Sequence, residues 1–182
     1  HLAEYLGKQN LALDLDIKPM QFASGFGNLN YLVKVNDELT VLRRPPLGPI
    51  PPGANDMRRE NFILSRLPSV YSLAPRALHY CESPDVLGAH FLIMEYRPGV
   101  IIGGDVPESI LQGWHKSAPV GECLTEQLVT ALAQLHQVDI KAIGLHKLGR
   151  PEGFVPRSLK GWRTRAEIAW ESGLPPSLRS AF

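Results

Sequence analysis

The sequence contains little of what marks several classes of protein. Only two cysteines occur among 182 residues, Cys81 and Cys123, and they lie too far apart for a paired metal or redox motif. Nineteen basic against eighteen acidic residues leave a formal net charge of +1, which gives no electrostatic case for nucleic acid or an anionic membrane. We therefore expect reduced thiols, a cytoplasmic location, and neither a nucleic-acid nor a membrane partner.

Long apolar runs and a leader pattern are also missing. No run reaches the roughly 18 apolar residues of a transmembrane helix. The first ten residues, HLAEYLGKQN, lack the basic and apolar regions of a signal peptide. They also carry no initiator methionine, so we expect the sequence to be part of a longer protein. A composition of 44% hydrophobic and 20% charged residues is typical of a globular domain, and no pattern predicts its oligomeric state.

The first half of the sequence predicts a small sheet with one main helix. Period-two alternation predicts two strands on either side of SGFGN, and LTVLRR predicts a third strand after the turn residues Asn36 and Asp37. NDMRRENFILSRL predicts a helix with Asn55 or Asp56 as its N-cap. RALHYCE and HFLIMEY predict two more strands. The helical spacing of Leu2, Tyr5 and Leu6 predicts a short leading helix.

The second half predicts helices only. DVPESILQGW has Asp105 as a candidate N-cap and Pro107 in its first turn. ECLTEQLVTALAQLHQVD is the clearest helix, and PRSLKGWRTRAEIAWESG predicts another that ends at Gly173. The apolar stripe of the clearest helix consists of Leu124, Leu128, Ala131, Leu132 and Leu135. The change from sheet to helices predicts a boundary near Pro98.

Four segments in this order resemble the aminoglycoside phosphotransferase superfamily, which has the two-lobed protein-kinase-like fold. They are VLRRPPLGPIPPGANDMRREN (41–61), PDVLGAHFLIMEYRPG (84–99), LAQLHQVD (132–139) and LGRPEGFVPRSLKGW (148–162). The most similar branch comprises phosphotransferase domains that are also found fused to acyl-CoA dehydrogenases. The resemblance implies an α+β fold, with an antiparallel-sheet N-lobe over residues 1–98 and an incomplete helical C-lobe over residues 99–182.

The loop FASGFGNLNYLV, residues 22–33, has two interpretations. Its glycines can make a plain hairpin with a glycine bulge, or a loop whose backbone N–H groups approach phosphates closely. The resemblance favours the second interpretation and implies nucleotide contact by Gly25, Gly27 and Asn28. The loop departs from the family pattern because Gly27 stands where the family usually has serine.

The resemblance also assigns residues around the rest of a nucleotide site. Arg43 falls where kinases usually carry the lysine that binds the α- and β-phosphates, and Glu60 matches the helix glutamate that holds that cation. The alternative is that both side chains lie on a solvated face. LIMEYRPG resembles the hinge between the lobes, with Met94 at the back of the adenine pocket and backbone groups of Glu95 and Tyr96 at the adenine edge.

Neither a catalytic base nor a metal ligand is predicted within the sequence. HQVD does not match a kinase catalytic loop, which needs His-x-Asp followed by asparagine at a fixed distance. The six histidines are scattered and predict no metal set. The resemblance places the catalytic loop and the Mg²⁺ ligands beyond Phe182.

The function that the resemblance implies is transfer of phosphate from ATP, with Mg²⁺, to a hydroxyl group of a small molecule. Hydroxyacyl-CoA is one candidate acceptor. We expect the 182 residues alone to bind nucleotide weakly and to transfer no phosphate. The alternative function is a non-catalytic, pseudokinase-like module that binds a nucleotide or a partner.

Overall fold

The computed structural model describes residues 1–23, 27–50, 53–114, 117–170, 173 and 175–179. The strands are β1 (Met20–Gln21), β2 (Leu29–Val35), β3 (Glu38–Arg44), β4 (Ala77–Cys81) and β5 (Phe91–Glu95). The helices are α1 (Leu2–Lys8), α2 (Met57–Leu64), α3 (Glu108–Gln112), α4 (Val120–His136), α5 (Phe154–Ala169) and α6 (Pro176–Arg179). Two short 3₁₀ helices span Leu67–Ser69 and Leu145–Leu148. The predicted α+β class is confirmed.

The five strands form one antiparallel sheet in the order β1-β2-β3-β5-β4. On β3, Arg43 lies opposite Asn30 of β2 and Leu92 of β5, whereas the preceding residue, Leu42, lies opposite Tyr31 and Ile93. Because directly opposed side chains share a face and successive side chains alternate, these two rows mark opposite faces of the sheet.

One face of the sheet packs against α1 and contains the core. Leu6 of α1 is completely buried, and Tyr5 packs edge-on against Phe91 at 6.0 Å between ring centroids. The buried core residues of this face are Leu6, Val33, Val35, Leu42, Cys81, Phe91 and Ile93. Full burial of one such side chain contributes about 1.5–3 kcal/mol, so the leading helix is an integral part of the sheet domain.

The hairpin of β2 and β3 is closed by the predicted two-residue turn. Asn36 and Asp37 both have left-handed backbones, with φ of 51° and 64°. Two consecutive positive φ values define the turn whose twist matches that of antiparallel strands. The side chain of Asn36 also accepts a hydrogen bond from the backbone N–H of Ala12 at 2.8 Å, which ties the turn to the preceding segment.

The other face of the sheet is partly covered by α2. Of the two predicted N-caps, Asp56 is the cap, since its carboxylate accepts a hydrogen bond from the backbone N–H of Arg59 at 3.0 Å. Asn55 immediately precedes the cap and has a left-handed backbone with φ of 51°. Met57 of α2 and Leu92 of β5 are both buried, and they anchor the helix on this face.

Two predicted helix ends are wrong. α3 begins only at Glu108, with Pro107 as its N-cap residue and no side-chain cap, so Asp105 does not cap it. The residue before a proline is biased away from helical angles, which delays the start of the helix. α5 ends at Ala169 rather than at Gly173, because the backbone at Trp170 leaves the helical region, with φ of −108° and ψ of 86°.

α4 confirms the clearest predicted helix, but its apolar stripe is not buried throughout. Leu128 is 69% exposed and Leu132 is 49% exposed in the structure. The helix is connected to the first half of the chain by a hydrogen bond from the Tyr71 hydroxyl to the Ala131 carbonyl at 3.1 Å. Among the residues that the structure describes, no helix is both long enough and apolar enough to cross a membrane.

Candidate functional site

A cleft opens on the face of the sheet that carries Arg43, beside the ends of β3 and β5. Its volume is about 300 Å³, which is near the lower end of the range for small-molecule sites. Residues that line it are Phe22, Asn30, Val41, Arg43, Pro75, Met94, Glu95, Tyr96, Arg97 and Ile101. We call this space the β3–β5 cleft. It brings Arg43 of β3 together with the three consecutive residues Met94, Glu95 and Tyr96, and all four were predicted as site residues.

The walls of the β3–β5 cleft are largely apolar. Val41 and Met94 lie directly opposite each other on β3 and β5. The rings of Phe22 and Tyr96 stack at 6.3 Å between centroids with an angle of 23° between their planes. Flat apolar walls of this kind suit a planar heterocycle. Phe22 and Val41 were not predicted as site residues, because each reads as an ordinary strand residue in sequence.

Arg43 forms the predicted ion pair with Glu60 at the edge of the cleft. Its Nε donates to Oε2 of Glu60 at 2.6 Å, and its Nη2 approaches Oε1 at 3.4 Å. The two side chains are 30% and 26% exposed, so neither lies on a fully solvated surface. The contact itself is confirmed, while the role of the pair in nucleotide binding stays a prediction.

The guanidinium group of Arg43 is held from a second side by Asn30. Its Nη1 donates to Oδ1 of Asn30 at 3.1 Å. A guanidinium has five N–H groups, and the contacts with Glu60 and Asn30 use three of them. Arg43 is thus oriented by its neighbours and retains two donors in the described part of the chain for an anionic ligand.

Asn28, a predicted loop residue, belongs to the same network. Its amide nitrogen donates to Oε1 of Glu60 at 3.1 Å, and its amide oxygen accepts from Nδ2 of Asn55 at 2.7 Å. The same Nδ2 of Asn55 donates to the backbone carbonyl of Gly27 at 3.0 Å. Asn55 was predicted only as a possible helix cap. The sequence indicates its left-handed backbone only through the residue type, because asparagine tolerates positive φ.

The two predicted loop glycines have different outcomes. Gly25 lies outside the described residues. Gly27 does not occupy the left-handed region, and a Cβ there would lie 3.6 Å from Nδ2 of Asn55, which is an ordinary contact. The fold therefore does not itself require glycine at position 27.

The predicted hinge residue Glu95 is held firmly by its surroundings. Its backbone N–H donates to the carbonyl of Arg76 at 2.9 Å, so this donor is engaged within the domain. Its carboxylate accepts from the backbone N–H of Arg76 at 3.0 Å and pairs with the Arg97 side chain at 3.1 Å. The hydrogen bond from the Arg76 backbone, reinforced by both arginines, lowers the pKa of Glu95 below its ordinary value. Because the N–H of Glu95 is engaged, the next backbone N–H along the predicted hinge is that of Tyr96.

The aspartate of the HQVD segment forms hydrogen bonds within its own turn. Oδ1 of Asp139 accepts from the backbone N–H groups of Lys141 and Ala142 at 2.8 and 3.1 Å. These two hydrogen bonds lower the pKa of Asp139. The carboxylate therefore closes the turn that follows α4, and its exclusion as a catalytic base stays a prediction.

Comparison with known proteins identifies the class of fold as kinase-like. A solved structure from Ralstonia eutropha, described as a candidate aminoglycoside phosphotransferase, superposes with a TM-score of 0.61 at 23% sequence identity. The superposition covers 98% of this chain and 50% of that one. The five-stranded antiparallel sheet with its helices thus corresponds to the aminoglycoside phosphotransferase fold.

The family is given by the sequence comparison. The model of the phosphotransferase enzyme family matches residues 19–177, and the chain belongs to this family. Acyl-CoA dehydrogenase family member 10 of mouse is 30% identical over 156 residues, which cover 86% of this chain and 14% of that protein. Acyl-CoA dehydrogenase family member 11 of chicken is 28% identical and is covered to 19% of its length. The chain therefore spans less than one fifth of either relative, and the predicted resemblance to this branch is confirmed.

Proposed function

We infer that the β3–β5 cleft is the nucleotide site of an ATP-dependent phosphotransferase that acts on a hydroxyl group of a small molecule. The observation that carries this proposal is the ion pair of Arg43 with Glu60 at the edge of an apolar cleft. A fixed guanidinium beside flat apolar walls matches the two ends of a nucleotide, its polyphosphate and its base.

Each end of the nucleotide would meet a different set of residues. The base would lie between the walls formed by Phe22, Val41 and Met94, with its edge toward the backbone of Tyr96. The phosphates would lie toward Arg43, whose remaining N–H donors form charge-assisted hydrogen bonds with phosphate oxygens. In this arrangement Glu60 orients the arginine and does not contact the nucleotide.

The described residues contain no group of three His, Cys, Asp or Glu side chains that could hold a metal ion. Mg²⁺ in nucleotide sites is commonly held by one or two carboxylates together with the phosphates. Following the family resemblance, we propose that these carboxylates lie outside the described residues.

The names of the relatives support one acceptor class. Two of them carry the name acyl-CoA dehydrogenase, although this chain matches only a small part of each. A phosphotransferase domain joined to an enzyme of acyl-CoA chemistry would act on a related compound that has a hydroxyl group. We therefore propose hydroxyacyl-CoA as the first acceptor to examine.

The test compares binding of ATP and adenosine to the whole protein by calorimetry. Loss of a charge-assisted contact costs about 1.5–3 kcal/mol, so Arg43→Ala should weaken ATP binding about 10- to 100-fold. Adenosine binding should change by less than about twofold, because the lost contact is to phosphate. Arg58→Ala is the matched control, since this α2 arginine is 71% exposed and pairs with Glu82 away from the cleft.

Three results would separate the possible functions. Failure of the wild-type protein to bind ATP, or an equal loss of ATP and adenosine in Arg43→Ala, would overturn the site assignment. ADP formation that depends on a hydroxylated acceptor would support the phosphotransferase. Nucleotide binding without phosphate transfer to hydroxyacyl-CoA or to other hydroxylated small molecules would instead indicate a non-catalytic binding module.

A further inference from the structure

We propose that Asn55 is a positioning residue that holds Arg43 in its phosphate-facing orientation through two intermediate side chains. The connection runs from Asn55 to Asn28, from Asn28 to Glu60, and from Glu60 to Arg43. We call this connection the asparagine relay. The inference rests on the proposed nucleotide function of the cleft, and it concerns a residue to which neither the fold nor the family resemblance gives a role.

The asparagine relay consists of short, directed contacts. Nδ2 of Asn55 lies 2.7 Å from Oδ1 of Asn28, Nδ2 of Asn28 lies 3.1 Å from Oε1 of Glu60, and Oε2 of Glu60 lies 2.6 Å from Nε of Arg43. Nδ2 of Asn55 also reaches the Gly27 carbonyl at 3.0 Å. Four side chains from three separate segments of the chain are thereby connected.

Two groups in contact with the relay asparagines determine the direction of the hydrogen bonds. The Gly27 carbonyl and the ionised Glu60 carboxylate can only accept hydrogen bonds. Asn55 must therefore turn its NH₂ group toward Gly27, and Asn28 must turn its NH₂ group toward Glu60. Only in this orientation does the amide oxygen of Asn28 face the amide nitrogen of Asn55. A flip of either amide would bring two acceptors or two donors together.

The origin of the relay is a well-anchored point of the backbone. Asn55 directly precedes Asp56, whose carboxylate caps α2, and Met57 at the start of that helix is buried. The left-handed φ of 51° at Asn55 aims its side chain back toward residues 27–28. Asparagine and aspartate tolerate this backbone better than other non-glycine residues. Glu60 is itself a residue of α2, and the relay holds its carboxylate from the side of Asn28 as well, which fixes the oxygen that accepts from Arg43.

These properties make Asn55→Asp a sharp test. Aspartate has almost the same size, tolerates the left-handed backbone, and is favourable near a helix N-terminus. It replaces the NH₂ donor with a carboxylate oxygen that faces the Gly27 carbonyl and Oδ1 of Asn28. The variant should therefore fold normally but lose the contacts at the origin of the relay.

The measurement is calorimetric binding of ATP and adenosine to the whole protein. We expect Asn55→Asp to weaken ATP binding about tenfold and adenosine binding by less than about twofold. Asn10→Asp is the matched control, because Asn10 is exposed, has a left-handed φ of 59°, and lies after α1 on the opposite face of the sheet. It should change neither affinity, and both variants should melt within a few degrees of the wild type.

A double-mutant cycle distinguishes positioning through Arg43 from a general structural effect. In an Arg43→Ala background, Asn55→Asp should weaken ATP binding by less than about twofold, since the group being positioned is gone. An equal further loss in that background would overturn the relay. Unchanged ATP affinity in the single variant Asn55→Asp would also overturn the relay. The proposed nucleotide site would not be affected by that result. Failure of the wild-type protein to bind ATP would overturn both.

Discussion

Replacement of Glu60 by glutamine should destabilise the fold more than the same change at Glu82, a glutamate that pairs with Arg58 of α2. Glu60 accepts hydrogen bonds from Arg43 at 2.6 and 3.4 Å and from Asn28 at 3.1 Å. Glutamine has one accepting oxygen and an NH₂ group, so at least one donor of Arg43 or Asn28 would face another donor. The positive charge of Arg43 would also lose its partner.

The magnitude follows from the exposure of the pair. Hydrogen bonds to charged groups are worth about 1.5–3 kcal/mol when well buried, whereas an exposed ion pair is worth about 0.2–1 kcal/mol. The Arg43 and Glu60 side chains are 30% and 26% exposed, so solvent screening places this pair between the two cases. We therefore expect Glu60→Gln to lower the free energy of unfolding by about 1–2 kcal/mol.

The assay is urea denaturation, with Glu82→Gln as the matched control. Glu82 pairs with Arg58 of α2, and those side chains are 59% and 71% exposed. Its replacement should cost less than about 1 kcal/mol, and that cost should shrink at high salt. If the two variants lose the same free energy at low salt, the network around Arg43 contributes nothing beyond an ordinary surface pair, and our account of the site would be wrong.

Two further predictions concern pH and the loop. Burial lowers the pKa of His79 below its ordinary value of 6.5, so the unfolded chain binds the proton first and stability should decline as pH falls below about 6.5. Thermal melts between pH 7.5 and 5 should show this decline, and His79→Gln should reduce it; an unchanged slope would contradict the assignment. Gly27→Ala should leave the free energy of unfolding within about 0.5 kcal/mol of the wild type, because the new methyl group meets only an ordinary contact at 3.6 Å. The same variant should weaken ATP binding if phosphates approach this backbone, and a large loss of stability in urea would show that the fold needs glycine here.

The features that could be predicted from sequence are those with a local physical cause. Alternating side chains predicted β1 and β2, and the composition of LTVLRR predicted β3. Consecutive Asn36 and Asp37 predicted the turn between β2 and β3, because both residues tolerate positive φ. Arg43 and Glu60 were predicted to meet from the family resemblance, which supplies long-range information that periodicity lacks.

The features that could not be predicted depend on contacts between distant segments. The contact of Asn55 with Gly27 joins residues 28 positions apart, and neither residue carries a pattern that indicates the other. The exposure of Leu128 likewise could not be read from α4, since helical periodicity shows which residues share a face but not what covers that face. Pro107 misled the prediction of α3 because proline is also common at the first helical position.

The tight turn of the β2 and β3 hairpin has a consequence for how this protein can change in evolution. The turn sets which residue of β3 lies opposite Asn30, and therefore on which side of the sheet Arg43 emerges. A single inserted or deleted residue in the turn would shift the register by one and exchange Arg43 with Leu42, sending the charge into the core and the leucine into the cleft. Homologues should therefore keep residues that tolerate positive φ in this turn and should scarcely differ in its length, whereas the connection between β3 and α2 can vary in length without moving Arg43 along its strand.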